Sequence, residues 1–304
     1  MFPVLIGLSS ALIYGAAVFL GGIASRRISP VRVTAVAAAT GLVVLLLALP
    51  FVGGTWSREA VLLGALSGVT GAVAIGLLYA CLAIGPMSIL SPLTAVVSAI
   101  VPLSIGLAGG ERLQPIGYAA LALALIAVVL VGFVPEKGAV RPRPIGALMA
   151  IGSGVAIGIF LVVIDQTPDD SGLVPLVLNR AVSGAILFAA VGVLFIYSRS
   201  SRSRSEPPSR SSRSRSDRIE TPDTRGWRPG LRLAIICGIV DAAANTGLLI
   251  GLRLGELSVM AVLTALYPAG TIILAAIVLK ERIAPVQIVG LVLAVAAGAL
   301  LALA

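Results

Sequence analysis

Asp241 is the one acidic residue that lies deep inside a long apolar stretch of this sequence. A charged side chain costs about 2.5–3.5 kcal/mol at the centre of a bilayer, so its presence there needs an explanation. Asn245 follows four residues later, on the same face of a helix. A functional and a structural role stay open for Asp241. It contacts a cationic substrate group or takes up a coupling proton, or else it makes a structural hydrogen bond to a neighbouring helix or lines a helix break.

A second charged residue, Arg180, lies about two turns inside another apolar stretch, next to Asn179. An arginine near a helix end usually extends its long stem so that the guanidinium reaches the membrane surface, and we expect this of Arg180. The alternatives are that Arg180 neutralises Asp241 or that it binds a carboxylate of the substrate.

Hydroxyl groups and tyrosines supply the other polar atoms within the apolar stretches. In one stretch, small and hydroxyl-bearing residues recur on a single helical face, namely Ser88, Ser91, Ala95, Ser98 and Pro102. Most such hydroxyls bond their own helix or a neighbouring one. As a set they can line a mostly apolar binding site, and the candidates for it are Tyr14, Tyr79, Thr94, Ser98, Thr264 and Tyr267, together with Asp241, Asn245 and Arg180.

Several kinds of catalytic chemistry are excluded by residues that the sequence lacks. It contains no histidine, and its two cysteines, Cys81 and Cys237, are isolated in apolar runs. A zinc enzyme, a Ser-His-Asp hydrolase and a disulfide framework are therefore excluded. No P-loop is present, and the glycines of 152–158 lie inside an apolar run with no preceding strand, so no nucleotide-binding loop is predicted. We expect no catalytic residues, no metal and no cofactor.

An acidic cluster offers the main alternative, a membrane enzyme acting on a prenyl diphosphate or a lipid. Asp165, Asp169 and Asp170 form a DxxxDD pattern that suits Mg²⁺ and a diphosphate. Such a site normally needs a second acidic cluster facing the first, and the sequence has none. The same segment also contains Pro168 and Gly172, as an ordinary turn would.

The elements that must position these residues follow from composition. Hydrophobic residues make up 58% of the 304 positions and charged residues only 12%, which excludes a soluble globular protein and a disordered one. A bilayer core needs roughly 20 apolar residues of helix. The sequence predicts an all-α, multi-pass protein of the cell membrane with ten transmembrane helices, at 3–24, 31–52, 59–84, 86–109, 113–134, 144–164, 173–197, 230–252, 256–279 and 283–304.

The net charge of +9 indicates orientation once the basic residues are assigned to loops. Loops after odd-numbered spans carry 17 Lys and Arg, and loops after even-numbered spans carry three, Arg58, Arg112 and Arg253. The positive-inside rule then places the odd-numbered loops in the cytoplasm and both termini outside.

Nine of those basic residues lie in an arginine- and serine-rich segment, 198–228. Its polar, proline-interrupted composition is typical of a disordered connector. Anionic lipid headgroups are a further partner for its arginines, and phosphorylation control and RNA binding are alternatives. Apart from Trp227 the segment lacks aromatic residues to stack on bases, so we expect no nucleic-acid partner.

An internal duplication appears when the chain is compared with itself at an offset of 170 residues. Eight positions match: Gly85, Ser88, Leu93, Thr94, Ala95, Glu111, Arg112 and Pro115 correspond to Gly255, Ser258, Leu263, Thr264, Ala265, Glu281, Arg282 and Pro285. We interpret this as two repeats, 1–138 and 139–304, of five spans each. Because five is odd, the repeats insert in opposite orientations, an arrangement typical of transporters with alternating access to a site between the halves. The glutamate–arginine pairs lie at span ends and are assigned to architecture rather than chemistry.

The duplicated segments resemble the paired domains of the EamA family, in the drug/metabolite transporter superfamily. The resemblance is carried by Gly85-Pro86-Met87-Ser88 through Gly110-Glu111-Arg112-Leu113, and by Gly255-Glu256-Leu257-Ser258 through Lys280-Glu281-Arg282. It covers nearly the whole chain except the arginine- and serine-rich segment.

This resemblance implies a ten-helix secondary transporter, often an exporter, of amino acids, other small metabolites or drugs. Two features differ from the family pattern. Members often carry Trp-Gly in the first span, where this chain has Tyr14-Gly15. Members are also usually drawn with cytoplasmic termini, opposite to the orientation that the charge count indicates.

Overall fold

Long helices dominate the structure, a computed structural model that describes residues 2–84, 87–132, 144–203, 228–280 and 282–303. Within these residues there are eleven α-helices, one 3₁₀ turn at Asp169–Ser171 and no β-strand. The helices are α1 Phe2–Ser25, α2 Pro30–Val52, α3 Arg58–Ile84, α4 Met87–Ala108, α5 Pro115–Gly132, α6 Pro144–Asp165, α7 Val174–Ser203, α8 Arg228–Leu254, α9 Leu257–Thr264, α10 Tyr267–Val278 and α11 Pro285–Leu303. The predicted all-α class is confirmed.

Helix lengths agree with a multi-pass membrane protein. Among the described residues, nine segments are long and apolar enough to cross a bilayer, and the apolar part of α4, Pro92–Ala108, is shorter. Together they account for the ten predicted spans. Helices are the expected solution because backbone groups find no water to bond in the hydrocarbon core.

The ninth span was predicted as one helix, 256–279. In the structure it is broken into α9 and α10. The break falls at Ala265 and Leu266, where the backbone makes two turn-type hydrogen bonds, from Ala265 N to Ala261 O and from Leu266 N to Leu263 O. Pro268, the second residue of α10, has no N–H with which to continue the α9 ladder. A proline there begins a new helix at no cost in hydrogen bonds.

The ends of the segment predicted as a disordered loop, 198–228, are helical. Helix α7 continues to Ser203 and helix α8 begins at Arg228. A helix that continues past the apolar run still forms its backbone hydrogen bonds internally, whatever its side chains are. Composition alone therefore does not show where the helix ends. The central part of the segment, 204–227, lies outside the described residues.

The helices of the two halves are interleaved rather than packed as separate bundles. Helix α1 packs mainly on α8 and α10, and α6 packs in the equivalent way on α3 and α4. The contact of α2 with α8 likewise matches that of α7 with α3, and α5 packs against α11. The main contacts of α1, α2 and α8 therefore have counterparts in those of α6, α7 and α3.

Glycines at equivalent positions show how exact this correspondence is. A Cβ added at Gly68 of α3 would lie 2.7 Å from Asn179 O and 2.9 Å from Val182 Cβ. A Cβ added at Gly238 of α8, 170 residues later, would lie 2.5 Å from Ala37 O and 2.9 Å from Thr40 Cβ. Both partners of Gly68 lie 142 residues after those of Gly238. Positions in α3 and α2 can thus be matched to positions in α8 and α7.

The closest approach of α1 and α10 predicts a stability effect at Gly15. A Cβ added there would lie 2.5 Å from Tyr267 O and 2.7 Å from the Cα of Gly270. We expect Gly15→Ala to lose about 1–3 kcal/mol, as overpacking usually does, because two backbones must separate. Thermal unfolding of the detergent-solubilised protein measures the loss. Gly22→Ala on the same helix is the control, since no described atom lies within 4 Å of its Cβ; equal melting temperatures for the two variants would contradict the prediction.

Candidate functional site

An ion pair joins α7 and α8 in the interior of the bundle. Arg180 Nη2 lies 2.5 Å from Asp241 Oδ2, and the two side chains are 14% and 21% exposed. Asp241 is at the midpoint of the 27-residue helix α8. The expectation that Arg180 reaches the membrane surface is therefore wrong. A carboxylate in the interior offers the guanidinium a stronger interaction than the membrane surface does, and sequence separation conceals that partner.

Tyr14 of α1 and Asn245 of α8 extend this polar group. The Tyr14 hydroxyl donates to Asn245 Oδ1 at 2.5 Å, and Asn245 Nδ2 donates to the backbone oxygen of Asp241 at 2.8 Å. The amide of Asn245 thus has one partner on its own helix and one on α1. The structure brings together four of the predicted residues, Tyr14, Arg180, Asp241 and Asn245, from three helices.

This charged cluster faces inward. Helix α8 exposes Ile235, Ile236, Ile239 and Ile250 along one face, as a lipid-facing helix would. Asp241 is two residues from Ile239, about 200° around the helix, and so points away from that face. Its remaining exposure is consequently to space inside the bundle rather than to lipid.

The matching positions on α3 have no polar side chain. Gly71 is the counterpart of Asp241 at the 170-residue offset, and Ile75 is that of Asn245. Gly71 lies opposite the lipid-exposed Val69 and Val73, which are 42% and 50% exposed. A Cβ added at Gly71 would make an ordinary van der Waals contact, 3.9 Å from Asn179 Nδ2, and would meet no described atom closer than that. At these matched positions helix α8 therefore carries a charged and an amide side chain, whereas helix α3 carries a glycine and an isoleucine.

The hydroxyl candidates in α4 make structural contacts. Thr94 Oγ1 donates to Leu90 O and to Ala150 O of α6, and Ser98 Oγ donates to Ala95 O of its own helix. The structure does not bring these two hydroxyls to the Asp241 cluster through any described hydrogen bond.

Residues of α10, which follows the break in the ninth span, contact α1 next to Tyr14. The backbone oxygen of Tyr267 lies against Gly15, the residue after Tyr14, and Thr271 Oγ1 donates to Gly15 O at 3.0 Å. Thr264 Oγ1 is buried with no hydrogen-bond partner among the described atoms. These residues place the helix break beside the polar cluster. Tyr79 belongs to α3, and its side chain lies outside the described part of the structure.

The turn that contains the acidic pattern at 165–170 is hydrogen-bonded to the segment between α2 and α3 and to the end of α8. Thr55 donates its hydroxyl to Asp170 Oδ2 at 2.8 Å and its N–H to Asp170 O at 3.0 Å. Arg253 closes the same turn by bonding Ser171 Oγ and Gly172 O, both at 3.0 Å. No group of residues suited to a metal occurs in the described ranges. The structure therefore does not support the hypothesis of a diphosphate-binding enzyme at Asp165, Asp169 and Asp170.

Two polar contacts that link helices were not predicted from the sequence. Asn179 Nδ2 donates to Ser67 Oγ of α3 at 3.0 Å, next to the Arg180 pair. Glu111 accepts hydrogen bonds from the first residues of α9. The repeated glutamate at 111 and 281 was a signal for the second contact, although it did not indicate the partner.

Comparison with known proteins identifies the family of this chain. The model of the EamA-like transporter family matches residues 1–133 and 144–303. The chain belongs to the EamA-like transporter family. It is accordingly a multi-pass integral membrane protein of the transporter type, as its sequence resemblance implied.

Similarity to solved structures extends over the whole EamA-like fold. A crystal structure described only as that of a protein has 19% sequence identity and a TM-score of 0.72, and the match covers 100% of this chain and 99% of that one. At this identity the match shows the fold alone. No protein of curated function matches the sequence.

The Arg180–Asp241 pair predicts a coupled effect on stability. Removing one partner leaves the other charge unpaired, so we expect Asp241→Asn or Arg180→Gln to cost about 2–3 kcal/mol, less than for a fully buried pair because both side chains keep some exposure. The double variant should lose less than the sum of the single losses. Thermal unfolding of all four proteins measures the coupling, and strictly additive losses would show that the pair contributes nothing.

Proposed function

We propose that this protein is a secondary transporter that binds a small metabolite between α3 and α8 and exports it by alternating access. The observation that carries the proposal is the inward-facing, partly open Arg180–Asp241 pair at the middle of the span. Charged residues at this depth are costly and mark substrate or ion pathways. The family supports transport as the activity, and the identity of the substrate is our inference.

In this proposal α3 around Gly71 and α8 around Asp241 form unlike walls of the site, which favours a substrate with a charged end and an apolar end. A substrate carboxylate competes with Asp241 for Arg180, and a substrate ammonium competes with Arg180 for Asp241. The Tyr14 hydroxyl and the Asn245 amide lie within the same polar wall. The apolar part of the substrate then packs on the α3 wall around Gly71. Amino-acid-like and drug-like molecules both have this character.

The interleaved repeats supply a route for alternating access. Because the main contacts of α1, α2 and α8 recur in α6, α7 and α3, we infer that the packing that closes one face of the membrane has a near-copy that closes the other. The charged pair itself breaks this symmetry: its counterparts are Gly71 and, at the 142-residue offset, Ala38. The substrate site thus stays chemically the same while the surrounding helices exchange packing.

Anionic lipid headgroups are the further partner that we propose for the arginine- and serine-rich segment.

A resistance screen tests the transport proposal and the role of Asp241 together. Cells that overproduce the protein are challenged with a panel of toxic amino-acid analogues and cationic drugs. We expect resistance to one chemical class, and loss of most of it in Asp241→Asn at equal membrane abundance. Glu59→Gln is the matched control, since Glu59 is an exposed carboxylate in the first turn of α3. Resistance that is unchanged in Asp241→Asn would remove Asp241 from the mechanism.

The apolar wall has its own test at Gly71. Because a Cβ at Gly71 would meet no described atom closer than 3.9 Å, we expect Gly71→Ala and Gly71→Leu both to fold, and the larger side chain should occupy the space proposed for the apolar end of the substrate. Flux in proteoliposomes is measured for the class found in the screen. We expect Gly71→Ala to keep flux near the native value and Gly71→Leu to raise KM more for bulky members than for small ones. An equal effect on all members would contradict the assignment of this wall.

A further inference from the structure

The carboxylate of Glu111 links the two halves at one face of the membrane. Glu111 follows α4 in the first half, yet Oε1 accepts the N–H of Leu257 at 2.8 Å and Oε2 accepts the N–H of Ser258 at 3.1 Å. These are the first two residues of α9, in the second half. Free N–H groups at a helix start carry partial positive charge, and a carboxylate is their strongest partner.

The surrounding residues make room for this contact. A Cβ added at Gly106, near the end of α4, would collide with Oε2 of Glu111 and Oγ of Ser258. Ser258 also donates its hydroxyl to Leu103 O at 3.2 Å. The end of α4, the Glu111 carboxylate and the start of α9 therefore form one contact between halves, and Gly106 is required for it.

Helix α9 does not use its own neighbouring acid as a cap. Glu256 occupies the N-cap position and makes no side-chain capping bond. Its Oε2 has no partner within the described part of the chain, and burial together with the Glu111 carboxylate raises the pKa of Glu256. The α9 N-terminus is thus capped by a residue from the other half, although an acid from its own half lies next to it.

Helix α9 is a short unit with a defined boundary at each end. It has eight residues, begins at the Glu111 contact and ends at the break at Ala265 and Leu266. Its residues from Met260 to Leu263 are fully buried, and Val262 belongs to an apolar cluster that also contains residues of α4. Separation of α9 from α4 would open the bundle at this face and expose Val262.

We propose that Glu111 is a latch that holds the two halves closed at the face where α4 ends and α9 begins. Release of its two hydrogen bonds accompanies opening of the substrate site to that face. The proposal rests on alternating access as proposed above, and it assigns Glu111 a positioning role rather than contact with the substrate.

Cysteine labelling in nanodiscs tests the latch. In a background with Cys81→Ala and Cys237→Ala, one reporter is Val262→Cys, which is fully buried in the apolar cluster that also contains α4 residues. The second reporter is Ile28→Cys, which is 1% exposed at the turn between α1 and α2, on the opposite face. A water-soluble maleimide reaches both faces of a nanodisc, so the labelling rate reports how often each site opens.

We expect Glu111→Ala to raise the labelling rate at the Val262→Cys reporter about fivefold, the change that loss of a typical N-cap produces, with no rise at Ile28→Cys. Glu111→Gln should give a smaller increase, since its amide keeps one acceptor. Gly106→Ala should act like Glu111→Ala because its Cβ displaces the carboxylate. Glu59→Gln is the control, as an exposed carboxylate on the same face.

The outcomes separate a latch from general loosening and from failure of the transport proposal. An equal rise at both reporters would mean that Glu111 only stabilises the fold, and no rise at Val262→Cys in folded Glu111→Ala or Gly106→Ala protein would also overturn the latch. If Asp241→Asn abolishes transport while labelling is unchanged in the Glu111 variants, the transport proposal stands alone. If labelling rises as expected but no substrate class is transported, the latch stands and the proposed substrate site fails.

Discussion

Close backbone contact between helices of opposite halves is the interaction on which the rest of this structure depends. Lipid tails are as apolar as leucine, so membrane helices gain little from hiding apolar surface and are held by tight packing instead. Gly68 and Gly238 provide that packing at equivalent places, and Gly15 and Gly270 do so where α1 crosses α10. These contacts interleave the halves and bring α7 against α2 and α3, and α1 and α2 against α8.

The symmetric scaffold carries an asymmetric chemistry. Arg180 and Asp241 have Ala38 and Gly71 as counterparts, so the charges occur once although the backbone arrangement occurs twice. Each charge is tolerated at this depth because the other neutralises it. Glu111 likewise places its negative charge against a partner of opposite charge, the partly positive N–H groups at the start of α9. It supplies the cap that Glu256 does not. In both places the partner comes from a helix distant in sequence, so the chemistry exists only once the helices are packed.

Much of the fold could be predicted because hydropathy and length act locally. A helix must satisfy its backbone within itself in lipid, so a run of about 20 apolar residues is nearly sufficient to define a span. The break at Ala265 and Leu266 was harder, since a proline within an apolar run either kinks a helix or restarts it, and packing decides which. Asp241 was found because burial of a lone charge is costly, whereas Thr94 turned out to bond the Ala150 backbone, which no pattern in the sequence indicates.

The sequence by itself determined the helical class, the approximate positions of the spans, the duplication and the unusual carboxylate at 241, because each depends on composition, period or internal similarity. Only the tertiary structure decided that Arg180 pairs with Asp241 rather than reaching the membrane surface, that Tyr14 bonds Asn245, and that Glu111 caps α9. The physical reason is the same in each case. These interactions join residues between 61 and 231 positions apart, and their energy depends on distance and burial that only helix packing supplies.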